Sequence, residues 1–74
     1  MSTEYAVILV DSTSHALRIE KLFVSRGLTC KLIPVPRHLS SDCGVCVRIL
    51  KQDIEDIRAL LQEHQVSHQT IEVI

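Results

Sequence analysis

The run YAVILV at residues 5–10 constrains the fold of this 74-residue chain more than any other feature. A strand that alternates apolar and polar residues buries one face. A continuous apolar run is typical of a strand that is covered on both faces. We therefore predict that residues 4–10 form a central strand of a sheet, with the remaining elements beside it and over it.

Two helices are predicted. The first spans residues 15–26, follows several possible N-caps at residues 11–14, and has Gly27 at its expected C-cap position. The second begins after Asp53, a natural N-cap, and ends near His64. Apolar residues recur at helical spacing in both segments: Ala16, Ile19, Leu22 and Phe23 in the first, and Ile54, Ile57, Leu60 and Leu61 in the second.

Three further strands are predicted from period-two alternation, over residues 28–35, 44–50 and 69–74. Pro34 and Pro36 indicate that the first of these is an edge strand, because proline cannot donate a hydrogen bond to a neighbouring strand. Alternation places two apolar sets on the core face: Leu28, Cys30 and Leu32 in one strand, and Val45, Val47 and Ile49 in the next.

The predicted order is strand, helix, strand, strand, helix, strand. Right-handed crossovers turn this order into an α+β ferredoxin-like sandwich, a single domain over residues 1–74 with a four-stranded antiparallel sheet and two helices on one face. Ile71 and Val73 of the last strand are expected to face the core. Cys46 and Arg48 share the opposite face, which should be partly apolar and favour a homodimer or docking surface.

Composition excludes several classes of function. Aromatic residues make up 3% of the chain and the net charge is −1, so neither the stacking platform nor the basic footprint of a nucleic-acid binder is present. No apolar run approaches the roughly 20 residues that a membrane span needs, and no basic region precedes the first apolar run as in a signal peptide. Three cysteines, an odd number, fit a reducing cytoplasm better than a disulfide framework.

The loop before the third strand carries the clearest functional signal. The segment IPVPRHLSSDCGVCVR places Cys43-Gly44 where a stiff, polar loop meets a strand. A thiol there is held in position yet can remain accessible, which nucleophilic sulfur chemistry requires. The alternative is packing alone, since cysteine is among the most buried residue types.

The predicted topology brings residues 11–15, 34–43 and 64–68 to one end of the sheet. These segments hold all four histidines, together with Arg37, Cys43 and the positive end of the first helix dipole. Such surroundings would favour the Cys43 thiolate. Two alternatives stay open: histidines and Cys43 could bind a soft metal, or these are ordinary solvated loop residues.

The other cysteines have different predicted roles. Cys30 alternates with core residues and is expected to pack. Cys46 completes the spacing C-G-V-C with Cys43, which by itself is only a moderate signal. Because strand residues three apart face opposite sides, a disulfide between these two requires an irregular turn at Cys43, which Gly44 would permit. One such pair falls short of a structural zinc site.

Several motifs together resemble one family. They are A-x-x-x-E-K at residues 16–21, R-G-L at 26–28, I-P-V-P-R at 33–37, S-S-D-C-G at 40–44 and V-R at 47–48. This pattern resembles the small, mostly bacterial domains of unknown function described as selenium/sulfur carrier-like proteins. The resemblance implies a ferredoxin-like domain whose carrier cysteine is Cys43, holding a persulfide or selenopersulfide.

The resulting hypothesis is an accessory protein that needs no cofactor and is not a stand-alone enzyme. It accepts sulfur or selenium on Cys43 from a donor protein and passes it to an acceptor. In this hypothesis Cys46 is a possible resolving thiol. The supporting residues are Arg37, His38, Ser12 and His15, which favour the thiolate, Ser40 and Ser41, which shape the loop, and Gly44, which allows close approach.

A carrier needs no deep pocket, and so small a domain is expected to lack one. Two alternatives come from other classes of protein. One is a regulatory or interaction module that dimerises or docks through its sheet face. The other is a small metal-binding module.

Overall fold

The computed structural model describes residues 4–39 and 44–74. Its elements are β1 (Tyr5–Leu9), α1 (Thr13–Ser25), β2 (Cys30–Pro34), β3 (Val45–Leu50), α2 (Ile54–Glu63) and β4 (Thr70–Val73), with a short 3-10 turn at Lys51–Asp53. The strands form one antiparallel sheet in the order β2-β3-β1-β4. This confirms the α+β ferredoxin-like fold.

The central position of β1 is also confirmed. It pairs with β3 on one side and with β4 on the other. Ala6 and Ile8 face the helices and join the main core, whereas Val7 and Leu9 belong to a second buried cluster on the opposite face. An apolar residue is therefore required at every one of these positions, because both faces of the strand exclude water.

The main core lies between the sheet and the helices. Ala16, Ile19 and Phe23 of α1 and Ile57 and Leu61 of α2 are all buried there, which confirms the predicted apolar stripes. Burial of an aliphatic or phenylalanine side chain stabilises a fold by about 1.5–3 kcal/mol. This small domain therefore depends on a few such residues.

A Schellman motif ends α1. The N–H of Leu28 donates to the carbonyl oxygen of Phe23 at 2.9 Å, and that of Gly27 donates to Val24 at 3.1 Å. Gly27 has φ +73, in the left-handed region that the motif requires. The side chains of Leu28 and Phe23 both contact the main core, so the turn is fixed by packing as well as by hydrogen bonds.

The same motif ends α2, with a residue that the sequence does not signal. The N–H of Val66 donates to the carbonyl oxygen of Leu61 at 2.9 Å, and that of Gln65 donates to Gln62 at 3.2 Å. Gln65 has φ +54 and occupies the position that Gly27 holds in the first motif. A residue with a β-carbon is strained in this conformation.

The start of α2 differs from the prediction. Asp53 precedes the helix, but its side chain makes no capping hydrogen bond, and its backbone closes the 3-10 turn at φ −93 and ψ 0. An N-cap residue normally has extended backbone, from which its side-chain oxygen reaches the first free N–H groups. Asp53 therefore stands at the predicted N-cap position, but the turn removes the geometry that a side-chain cap requires.

Pro34 lies on the open edge of β2, as its sequence predicts. It is paired with Val45, and the next bond in the ladder runs from the Val35 N–H to the Gly44 carbonyl oxygen at 3.1 Å. In an antiparallel pair of strands, hydrogen-bonded residue pairs alternate with non-hydrogen-bonded pairs. Pro34 belongs to a non-hydrogen-bonded pair, so its nitrogen points away from β3. The missing N–H of Pro34 therefore costs the sheet no hydrogen bond.

The sheet face away from the helices is not open where an interface was expected. Cys46 is 0% exposed, and Ile33, Val35 and Leu39 pack against the cluster that it forms with Val7 and Leu9. The chain after β2 folds back over this part of the sheet. The premise that Cys46 leaves an exposed apolar surface was therefore wrong.

The rest of that face carries polar groups. The guanidinium of Arg48 lies over the ring of Tyr5, 4.3 Å from its centroid, which is a favourable cation–π geometry.

The last residue of β4, Val73, is 51% exposed. It stands on the helix side as predicted, since it pairs with Ala6, but the core does not bury it.

Candidate functional site

The described part of the β2–β3 loop, residues 35–39, is anchored against the sheet face away from the helices. Its first residue, Val35, is bonded through its N–H to Gly44, and the N–H of Leu39 donates to the carbonyl oxygen of Pro36 at 3.0 Å. Val35 and Leu39 both contact the second buried cluster. The chain on each side of residues 40–43 is thus fixed to the sheet.

The predicted carrier thiol, Cys43, and the predicted loop serines, Ser40 and Ser41, lie outside the described residues. Gly44, which follows Cys43, is exposed and has φ +75. No atom lies within 4 Å of the position that a β-carbon would take. The backbone conformation, rather than a lack of space, therefore favours glycine beside Cys43.

Arg37 and His38 lie in the exposed turn that precedes Leu39. Within residues 4–39 and 44–74, neither side chain takes part in a hydrogen bond or an ion pair. They are placed on the same loop as Cys43, as the sequence requires. The described part of the chain does not set their orientation.

Ser12 and His15 form a local cap at the start of α1. The Ser12 side-chain oxygen accepts from the His15 N–H at 3.4 Å and lies 3.2 Å from its Nδ1. Both residues are half-buried. Their polar atoms are therefore engaged with each other, on an element that packs over the opposite face of the sheet from Val35 and Leu39.

The expected meeting of the loops at one end of the sheet is confirmed in part. The Gln69 side-chain amide donates to the Asp11 carboxylate at 2.7 Å, and its backbone N–H donates to the Leu9 carbonyl oxygen at 2.7 Å. These bonds hold the connection between α2 and β4 against the turn after β1.

The expected gathering of all four histidines is wrong. The His64 Nε2 lies 3.1 Å from a guanidinium nitrogen of Arg26, the residue that caps the C-terminus of α1. His15 lies near the N-terminus of the same helix, which is about 20 Å long. In the described part of the chain, no three His, Cys, Asp or Glu side chains come close enough to share a metal ion.

The two described cysteines differ in their surroundings. Burial raises the pKa of the Cys30 thiol, as does the nearby charge of Glu20, and its Sγ lies 3.9 Å from the Glu20 carbonyl oxygen. Cys46 is buried with its Sγ 3.9 Å from the Pro34 carbonyl oxygen. A role for Cys46 as a resolving thiol would require residues 35–39 to move off it.

The structure also contains a cleft of about 660 Å³. The cleft is open to solvent, so it is not the deep pocket that a domain of this size was expected to lack. The cleft runs between α2 and β4 and is lined by Arg58, Leu61, Gln65, Val66, His68 and Ile71, among others. The sequence gives no signal for it, because these residues match no motif and are brought together by the packing of one helix beside one strand.

Within the described ranges, neither helix has the length and apolar content that crossing a membrane would require.

Comparison with known proteins identifies one family. Residues 4–72 match the family model described as "Putative Se/S carrier protein-like". The search of curated proteins and the search of solved structures each found no match. The matched segment covers the described fold from β1 to Glu72 of β4 and includes the PVPR and SSDCG motifs. The chain therefore belongs to the Se/S carrier protein-like family.

Proposed function

We propose that this protein accepts a sulfur or selenium atom on Cys43 from a donor protein and hands it to an acceptor protein. The observation that carries the proposal is the family match over residues 4–72, which includes the segment around Cys43. The family name gives the cargo, and a thiol is the group in this chain that can hold it covalently.

The transfer is a thiol–persulfide exchange. The Cys43 thiolate attacks the outer sulfur of a persulfide on the donor, the donor's sulfur–sulfur bond breaks, and the donor thiolate leaves. Cys43 then carries the persulfide, and an acceptor nucleophile attacks the outer sulfur in the same way, which releases the Cys43 thiolate. No net oxidation or reduction occurs on the carrier. The selenium reaction has the same balance, with selenium as the outer atom.

The surroundings of the other cysteines support the choice of Cys43. A thiolate is the reactive form, and the raised pKa of Cys30 lowers its thiolate fraction at neutral pH. Cys46 is enclosed by Val35 and Leu39, so a donor protein cannot reach it without displacing them. Arg37 and His38 stand on the Cys43 loop and would favour its thiolate electrostatically.

The proposal places the carrier in the reducing cytoplasm of a bacterium, where a thiol remains available for loading. Capture of one sulfur atom at a time needs no enclosed substrate pocket at Cys43. The donor supplies the chemistry of sulfur activation, so the domain acts as a carrier and not as a stand-alone enzyme.

The test is intact-protein mass spectrometry after incubation with a cysteine desulfurase and cysteine. Wild-type protein should gain the mass of one sulfur atom, and a reductant should remove it. Cys43→Ser should abolish this gain. Cys30→Ser, a matched change at the other cysteine that the core does not fully enclose, should leave it intact.

Two results would overturn the proposal. One is a sulfur adduct that maps to Cys30 or Cys46 and persists in Cys43→Ser. The other is the absence of any adduct on a wild-type protein whose circular dichroism shows it to be folded, under conditions in which the desulfurase itself is loaded.

A further inference from the structure

The cleft between α2 and β4 lies beside an open edge of the sheet. β4 pairs with β1 alone among the described strands, so its other edge has no strand partner there. The Ile74 N–H donates to the Tyr5 carbonyl oxygen at 3.0 Å, so Tyr5 and Ile74 are a hydrogen-bonded pair. The next pair along the strands, Ala6 and Val73, is then a non-hydrogen-bonded pair. By the antiparallel pattern, Val73 and Ile71 direct their own N–H and C=O groups toward the open edge.

The walls of the cleft combine an apolar floor with polar sides. Ile71 is half-buried and can contact an apolar side chain of a ligand, and Leu61 and Val66 also line the cleft but are buried. Glutamine, serine and threonine side chains surround them: Gln62, Gln65, Ser67, Gln69 and Thr70. An open backbone edge beside such a groove is the arrangement that binds peptides by strand addition.

The charge of the cleft selects one sign of ligand. Arg58 lines it and has no ion pair with any described residue. His68 lines it too, and no Asp or Glu does so among residues 4–39 and 44–74. A carboxylate is the complementary group, since arginine binds it through paired hydrogen bonds.

One residue that lines the cleft has a strained backbone. Gln65 keeps a left-handed backbone where glycine would be relaxed, and its side chain lines the cleft. Strain of this kind clusters at binding sites, where a side chain is needed despite its conformational cost.

We propose that this cleft binds an extended peptide segment of a partner protein that carries a carboxylate side chain, added to β4 as a fifth strand. The peptide backbone would bond to Ile71 and Val73, one apolar side chain would cover Ile71, and the carboxylate would pair with Arg58. This proposal does not depend on the chemistry of Cys43. It gives a sulfur donor or acceptor a place to dock.

Other occupants fit less well. A second copy joined by two-fold symmetry would bring two identical β4 edges together, each beside its own Arg58, so the like charges would not be neutralised. The other sheet edge, β2, contains Pro34, which has no N–H to offer a new strand there. Both features favour an acidic peptide at β4.

The test uses a fluorescein-labelled pentapeptide, Thr-Val-Thr-Glu-Thr, whose valine and glutamate share one face when it is extended, and versions with glutamine or lysine in place of the glutamate. Binding is measured by fluorescence anisotropy, and ¹H–¹⁵N NMR spectra locate it on the protein. We expect the amides of Ile71 and Val73 to shift and to become protected from hydrogen exchange. Methylation of alternate peptide amides, which blocks strand pairing, should abolish binding.

Arg58→Gln should lower the affinity for the glutamate peptide about fivefold and leave the affinity for the glutamine peptide unchanged. A fivefold change corresponds to about 1 kcal/mol, the upper range for an exposed ion pair. Arg18→Gln is the matched control, because Arg18 is an exposed residue of α1 that does not line the cleft. It should change neither affinity.

Three outcomes would overturn the proposal: no shift of either β4 amide at millimolar peptide, equal binding of the glutamate and lysine peptides, or protection of the same amides by a second copy as protein concentration rises. A sulfur adduct on Cys43 can form in any of these cases. Failure here is therefore distinguishable from failure of the carrier function.

Discussion

The two Schellman motifs provide a paired test of backbone strain. Gly27 and Gln65 occupy the same position after α1 and α2, with φ +73 and φ +54, and the hydrogen bonds around them are equivalent. We predict that Gln65→Gly stabilises the fold and that Gly27→Ala destabilises it. Because no atom lies within 4 Å of the β-carbon that an alanine would add at position 27, the loss comes from backbone strain and not from a steric clash.

The magnitude follows from two opposing terms. A left-handed backbone costs a residue with a β-carbon about 1–2 kcal/mol. Glycine loses about 0.5–1 kcal/mol more conformational entropy on folding than alanine does. The difference favours glycine by about 0.5–1 kcal/mol at each site. For a domain of this size, that corresponds to a melting temperature change of about 3–6 °C, upward for Gln65→Gly and downward for Gly27→Ala.

Urea unfolding followed by far-ultraviolet circular dichroism measures both changes. The midpoint should shift while the slope stays constant, because neither substitution changes the surface exposed on unfolding. The two opposing effects should largely cancel in the double variant, and any departure from additivity measures coupling through the Arg26–His64 contact, which joins the two turns. Gln65→Ala keeps the β-carbon and should change stability by less than about 0.5 kcal/mol.

Two results would refute this reasoning. A loss of stability in Gln65→Gly would mean that contacts of the glutamine side chain outweigh the strain, and Gln65→Ala would then show a larger loss, because alanine loses the contacts and keeps the strain. A neutral Gly27→Ala would mean that the first turn does not hold the left-handed conformation that its hydrogen bonds require.

Two further predictions concern the cysteines. Cys46→Glu should unfold the domain or destabilise it by about 3 kcal/mol or more, because a charged carboxylate would be buried in the apolar cluster under Leu39. Val24→Glu, the matched change at a 64% exposed position, should cost less than about 0.5 kcal/mol in urea unfolding, and equal effects of the two would contradict the burial of Cys46. In the folded protein the pKa of the Cys30 thiol is raised above its ordinary value of 9.0. The protonated thiol therefore makes its full contribution to stability below pH 9.0, and this contribution is lost as the pH rises through the pKa of the folded state. Unfolding free energies measured across this range should therefore decline less steeply in Cys30→Ala than in wild type, and parallel declines would contradict the shift.

The sequence predicts those parts of the fold that depend on local chemistry. The apolar run of β1, the helical spacing of Ala16 and Ile19, and the glycine at position 27 each correspond to a structural requirement of their own segment. Pro34 likewise indicates the edge strand, because the absence of its N–H is tolerated only there. The antiparallel order of the sheet then follows from the handedness of the connections.

Other features depend on contacts between distant segments, and for these the sequence gives no signal. The burial of Cys46 results from the fold-back of Val35 and Leu39, whose sequence reads as loop. The position of His64 beside Arg26 depends on how two helices lie across one sheet. Gln65 has a left-handed backbone conformation that glycine usually occupies, so its residue type does not predict the turn.

The pairing register relates the two proposed sites to each other. Ile33, Cys46, Leu9 and Thr70 form one row across the four strands. One end of the row meets the loop that leads to Cys43, and the other end meets the cleft beside β4. Strands lie about 4.8 Å apart, so the row spans about 14 Å.

That span is short compared with the diameter of a protein partner. The start of β4 lies at the same end of the sheet as residues 35–39 of the β2–β3 loop, because Gln69 holds it against the end of β1. Docking at one site and transfer at the other would then be compatible in a single complex. If both proposals hold, the protein would bind successive partners through β4 and exchange sulfur with them at a separate site on the β2–β3 loop.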